Sequence, residues 1–157
     1  MDKNVELITR FYTAFQQRDY RAMNDCYCDE IVFFDPVFNL LDGNQARAMW
    51  EMLCKNAKDF ELVFGNIVKL DEEYYTCEWI ASYTFSKTGR RVINKVKAFM
   101  RLADGKIIEH SDGFSIHKWS MQALGFSGWL FGWNRFFKNK IKNQARRNLN
   151  EFMDGRN

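Results

Sequence analysis

Between residues 3 and 17 the apolar side chains Ile8, Phe11, Tyr12 and Phe15 fall three and four apart. That spacing puts them on one face of an amphipathic helix. Asp19 is placed to cap a short second helix carrying Ala22, Met23 and Cys26. A short strand follows at 31–35, Ile-Val-Phe-Phe-Asp, and stops at Pro36, the only proline of the chain. Asp42-Gly43 turns the chain, Asn44 is expected to cap, and Ala46, Met49, Trp50 and Leu53 line a third helix.

From residue 60 to 116 the period changes to two. Phe60, Leu62, Phe64, Val68 and Leu70 alternate with mostly polar neighbours, and Asp71-Glu72-Glu73 supplies a loop. Trp79, Ala81, Tyr83 and Phe85 share a face before a turn at Thr88-Gly89. Val92, Asn94, Val96, Ala98, Met100 and Leu102 then oppose Arg91, Lys95, Lys97 and Arg101, which predicts a strand with one wet and one buried face. After Asp104-Gly105 the last strand returns with Ile108, His110, Asp112, Phe114 and Ile116 on one side, and His117 begins the next helix. Helices segregated from an antiparallel meander define an α+β chain. Three N-terminal helices would cover one face of a curved sheet and leave a conical hollow between.

Composition narrows this picture. A chain of 157 residues holds one domain with a proper core. An aromatic content of 17% is high for that length, and such rings line pockets for flat apolar ligands as well as filling cores. Cys26, Cys28, Cys54 and Cys77 form no C-x-x-C pair and have only His110 and His117 to join them, so no zinc site is expected. Scattered thiols, an N-terminus unlike a secretory signal, and the lack of a long apolar run together predict a cytoplasmic protein. The net charge of +3 is unevenly spread. Residues 134–157 hold seven Lys/Arg against two Asp/Glu, whereas the rest of the chain is slightly acidic. No nucleic-acid face is expected on the main body.

Two carboxyls stand among apolar residues. Asp35 shares strand parity with Ile31 and Phe33, and Asp112 with Ile108, Phe114 and Ile116. A desolvated carboxyl has a raised pKa and can exchange a proton near neutrality. The alternatives are an exposed Asp35 that merely ends its strand before Pro36, and an Asp112 paired with His110 or a backbone donor. His110 itself reads either as a bonded core residue or as a helper at the site. Trp50, Trp79 and Phe38 are either pocket lining or plain core.

The order helix–helix–strand–helix–meander, the stretch Phe33-Phe34-Asp35-Pro36-Val37-Phe38 and the stretch DGKIIEHSDGF at 104–114 resemble the SnoaL-like branch of the nuclear transport factor 2-like superfamily. Its relatives include polyketide cyclases, ketosteroid isomerase and limonene-epoxide hydrolase. The resemblance covers about residues 3–124. It implies a cone-shaped roll with an apolar pocket, no cofactor, and a homodimer. Asp35 falls on the general base of ketosteroid isomerase, while Phe11 and Ala98 fall where that enzyme keeps its oxyanion donors. Asp112 falls on the acid/base aspartate of the cyclases and epoxide hydrolase. Trp79 and Ala81 replace the hydrolase's Arg and second Asp. The resemblance therefore implies cyclase- or isomerase-type acid/base chemistry on an apolar carbonyl or polyketide-like molecule. Asp35 and Asp112 would be catalytic, and Tyr12, Phe15, Phe33, Phe38, Trp50, Trp79, Asn94, Ala98 and His110 would surround the ligand. A non-catalytic carrier of an apolar ligand is the alternative.

Residues 125–157 extend past residues 1–124, which carry the SnoaL-like pattern. Gly125-Phe-Ser-Gly-Trp-Leu-Phe-Gly-Trp133 precedes a basic helix whose stripe is Phe137, Ile141, Ala145, Leu149 and Phe152. The stripe either packs on the domain or a second subunit, or belongs to an interfacial helix that meets an anionic membrane through residues 129–149. The three glycines among large apolar residues also suit a mobile lid.

Overall fold

The computed structural model describes residues 2–155. Helix α1 (Lys3–Gln16) is capped by Asp2, and α2 (Tyr20–Asp25) by Asp19, whose carboxylate accepts from the Ala22 amide. Strand β1 (Tyr27–Asp35) begins four residues before the expected one and turns into a short β2 (Asn39–Leu41) that the pattern did not predict. Helix α3 (Gly43–Asn56) is capped by Asp42 rather than Asn44. Asp42 and Gln45 bond each other's backbone amides in a reciprocal capping box, so the helix starts as early as its turn allows.

The meander comprises β3 (Glu61–Lys69), β4 (Tyr74–Phe85), β5 (Arg90–Ala103) and β6 (Lys106–Gly113). Strand order across the sheet is β2-β1-β6-β5-β4-β3. The sheet is mixed, not purely antiparallel, because β1 runs parallel to β6. Phe33 pairs with His110 and Phe34 with Ser111, so Asp35 and Asp112 lie on the next rung of neighbouring strands and on the same face. Parallel pairing needs a long crossover, and here everything between β1 and β6 supplies it.

On β5 the predicted face holds: Val92, Val96, Ala98, Met100 and Leu102 are buried. Two irregularities change parity elsewhere. Asn66 adopts φ +49° where the β3–β4 register shifts, so Ile67 packs toward the core and Val68 and Leu70 face out. A second shift between β5 and β6 sends Ile107, rather than Ile108, into the interior.

The apolar stripe of α1 and the inner side of α3 cover the concave face of the sheet. Ile8, Phe11, Tyr12, Met23, Ile31, Leu41, Ala46 and Met49 are essentially solvent-free there. Past β6 the chain forms α4 (Ile116–Leu124), α5 (Phe126–Phe131) and α6 (Arg135–Asp154). The segment read as a glycine-rich lid is therefore largely the helix α5, with the buried Gly128 against α4, where a Cβ would collide with the Ser120 carbonyl. Helix α6 folds back on α3: Leu149 is fully buried, and Ala145, Phe152 and Met153 pack against the core. Arg146 donates to the carbonyls of Phe38 and Leu40 at 3.4–3.5 Å, tying α6 to the β1–β2 turn. The stripe of α6 thus lies on the domain itself.

Candidate functional site

The helices and sheet line a half-open cavity of about 830 Å³. That volume suits a small molecule of several rings. Asp35, Asp112 and Asn94 reach it among Phe15, Phe38, Trp50 and Trp79. Tyr12, Phe33, Ala98 and His110 are buried but do not line it; they form the layer behind. Tyr12 and Ala98 sit too deep under Trp79 and Asp112, and His110 is held back by its own hydrogen bonds. The far wall comes from α6, through Ile141, Gln144, Ala145, Asn148 and Phe152, a contribution the sequence pattern had left open.

Asp35 does two things at once. Its Oδ1 accepts from the amides of Val37 at 2.8 Å and Phe38 at 2.6 Å, which closes the turn after β1. It is also buried and lines the cavity, so the reading of an exposed strand-end residue does not hold. Burial raises its pKa from 3.8 to about 6; the two amide bonds pull the other way, and the neighbouring Asp112 adds to the rise. A carboxyl of that acidity is mostly ionised at neutral pH yet accepts a proton readily.

Asp112 ends a buried chain of hydrogen bonds. The Trp50 indole donates to the Tyr27 hydroxyl at 2.8 Å, and Tyr27 and His110 Nδ1 lie 2.7 Å apart. His110 Nε2 is 2.9 Å from Asp112 Oδ1. The Asp112 carboxylate only accepts, so His110 donates to it through Nε2, and the Tyr27 hydroxyl, which accepts from Trp50, gives its own proton to Nδ1. The imidazole proton then sits on Nε2 and points at Asp112. The Trp79 indole adds a longer bond to the same Oδ1 at 3.4 Å. Among the described residues no hydrogen bond engages Oδ2 of either carboxyl, which leaves that oxygen to the cavity.

Rings pack edge-on around this chain: Phe33 and Phe11 meet His110, and Trp50 stacks on it with centroids 6.1 Å apart. They exclude water and fix the imidazole plane. Tyr12 is fully buried, and its hydroxyl finds no geometric partner, since the Trp79 indole is turned to Asp112 instead. Burial, then the charge of Asp112, pushes the Tyr12 phenol well above its usual range, so it stays protonated. Tyr27, which completes this chain of hydrogen bonds, had no sequence signal: it precedes the predicted strand, and His110 comes to it only through the parallel pairing.

A curled sheet covered by helices and folded around a largely apolar cavity, with carboxyls in its wall, defines a protein of the nuclear transport factor 2-like fold. A model of the SnoaL-like domain matches residues 8–110, more than half of the chain, and the chain belongs to that family. Similar solved structures include a candidate polyketide cyclase from Xanthomonas campestris, 17% identical over 76% of this chain and 96% of that one, with a TM-score of 0.64. An LEH-like epoxide hydrolase from M. tuberculosis is 19% identical over 83% of this chain and 92% of its own, at a TM-score of 0.63. A protein with a ketosteroid isomerase-like fold from Catenulispora acidiphila, crystallised with trimethylamine, is 11% identical over 75% and 92% of the two chains, at 0.66. At these identities the likeness speaks to the fold. No curated protein sequence matches.

Proposed function

We propose that this SnoaL-like pocket protein is a cofactor-free acid/base enzyme of the isomerase or cyclase type, acting on an apolar carbonyl or polyketide-like molecule. The observation that carries the reading is the pair of carboxyls on adjacent parallel strands, each with one oxygen open to the same aromatic cavity. In the reaction, Asp35 Oδ2 takes a proton from the carbon beside the substrate carbonyl. The C–H bond breaks, its electron pair moves into the C–C bond, and negative charge collects on the carbonyl oxygen. The Asn94 amide at the cavity wall orients that oxygen. Asp112, held by His110, takes that proton from Asp35 and hands it to the second carbon as the enolate's electron pair forms the new C–H bond, so both carboxylates end the same turnover ionised.

Such a step is followed by exchange of substrate C–H for deuterium in heavy water, read by NMR on a panel of enolisable aromatic ketones. Asp35→Asn should lower exchange by about two to four orders of magnitude, the usual contribution of a general base. Asp112→Asn should lower it less. Undiminished exchange in both variants refutes the assignment.

One observation favours a carrier instead. Phe11 and Ala98, both fully buried, offer no hydrogen-bond donor for an enolate. Under that reading, native mass spectrometry finds a tightly held apolar ligand that neither Asn substitution releases, and no exchange is seen.

A further inference from the structure

The segment joining α4 to α6 turns its largest apolar side chains outward. Phe126, Trp129, Trp133 and Phe136 are 73, 60, 68 and 80% exposed, and Leu130 and Phe131 beside them are also exposed. Soluble surfaces rarely gather so much contiguous apolar area without a partner. The backbone beneath it is anchored, because Gly128 is buried against α4 and Asn134 caps α6 by accepting from the Phe137 amide. The patch is therefore a built feature of the fold.

Its surroundings name the partner. From Gly113 to Asn150 the chain carries seven Lys/Arg and no carboxylate at all. On α6, Phe136, Lys140 and Arg147 follow at four- and seven-residue steps, so they share the face opposite the stripe that packs on the domain, and all three are exposed. Tryptophan and phenylalanine at the tip with cations alongside match the two layers of an anionic bilayer surface: acyl boundary and headgroup phosphate. A protein partner would have to supply an apolar socket and an acidic rim together, whereas the membrane has both by composition.

We infer that residues 126–136 insert into the headgroup boundary of an anionic membrane while Lys140 and Arg147 lie against its phosphates. The contact surface shifts toward the chain's aromatic segment relative to the span 129–149 expected from sequence, because Ile141, Ala145 and Leu149 are engaged by the domain. No helix of the described residues is long and apolar enough to cross a membrane, so the contact is peripheral. The same helices α4 and α6 that flank the patch also wall the cavity, through Trp119, Leu124 and Ile141. Resting on the pocket reading above, this places the cavity beside the lipid from which an apolar ligand would come.

The test is co-sedimentation of the full chain with vesicles of phosphatidylcholine and phosphatidylglycerol, mixed at about three to one. Binding should be tight at about 0.05 M salt, fall steeply toward about 0.5 M, and be lost on pure phosphatidylcholine. Tryptophan emission should shift to the blue on binding. Trp129→Ala with Trp133→Ala should weaken binding at least about tenfold, as expected for lost burial of one or two large rings. Lys140→Glu and Arg147→Glu should each weaken it about fivefold or more. These side chains are exposed, so circular dichroism should be unchanged. An absence of salt-sensitive binding overturns the proposal. So does equal binding by the Trp variant, or a Trp variant that loses a solution dimer instead of vesicle affinity. The readout is independent of turnover, and failure of the pocket chemistry leaves it standing.

Discussion

Asp35→Asn is the perturbation whose outcome the structure constrains most tightly. In the folded protein the carboxyl holds its proton up to about pH 6, against 3.8 in the unfolded chain. Between those two values the folded state binds a proton that the unfolded state has released. Stability at Asp35 is therefore full below the unfolded pKa and is lost as pH rises through the folded one. At about 1.36 kcal/mol per unit, a rise of roughly two units removes about 3 kcal/mol by neutral pH. The asparagine side chain keeps an oxygen for the Val37 and Phe38 amides, whose bonds at 2.8 and 2.6 Å close the turn, but cannot ionise. The variant should match wild type near pH 4 and gain stability progressively to about pH 6, reaching up to about 3 kcal/mol. Taking the difference between the two proteins removes the groups that titrate alike in both. Urea unfolding at half-unit steps from about pH 4 to about pH 8 measures it directly. A difference that is flat with pH would refute the reasoning. A variant weaker than wild type above neutrality would refute it too, by showing that the amides favour the ionised form more than burial disfavours it.

Three other outcomes follow from the geometry. Tyr27→Phe leaves the Trp50 indole and His110 Nδ1 without the hydroxyl they share; unfolding free energy should drop by about 1–3 kcal/mol, and substrate exchange should fall through Asp112. Gly128→Ala drives a Cβ into the Ser120 carbonyl, a backbone atom that cannot step aside. Limited proteolysis should then cut within 125–134 much faster than in wild type, while the sheet stays resistant, and equal cleavage rates would remove the packing argument. The convex side of the sheet exposes Val32, Phe34, Val63, Ile93 and Phe99. A homodimer formed through that face should become monomeric with Ile93→Arg and Phe99→Glu combined, as read by light scattering.

What the amino-acid pattern revealed and what it hid have a common physical origin. Helix α1 and strand β5 were legible because one side of each is buried along its whole length, so the period of apolar residues is undisturbed. Strand β2 was not, since three residues carry no period. The parallel pairing of β1 with β6 was invisible because partner choice is decided by the whole sheet, not by either strand. One residue in a left-handed conformation, Asn66, was enough to exchange Ile67 for Val68 on the inner face. At the site the two aspartates were legible as polar interruptions of apolar runs, and Trp50, Trp79 and Phe15 as neighbours on helix and strand faces. Tyr27 was not, because its partners lie on other elements. Helix α5 was hidden by its glycines, one of which is there for close packing rather than for flexibility.

The pairing of β1 with β6 also dictates when the site can exist. Phe33 and His110 are joined by nearly half the chain, so this is among the most expensive loop closures in the molecule and among the slowest to find. The meander can zip hairpin by hairpin from β3 to β6, each step local, before β1 has a strand to join. Until it docks, the two aspartates belong to separate halves, and neither is deprived of water. The acidity of Asp35 is thus a property that arises at the end of folding, and in a nascent or partly opened chain Asp35 is an ordinary carboxylate.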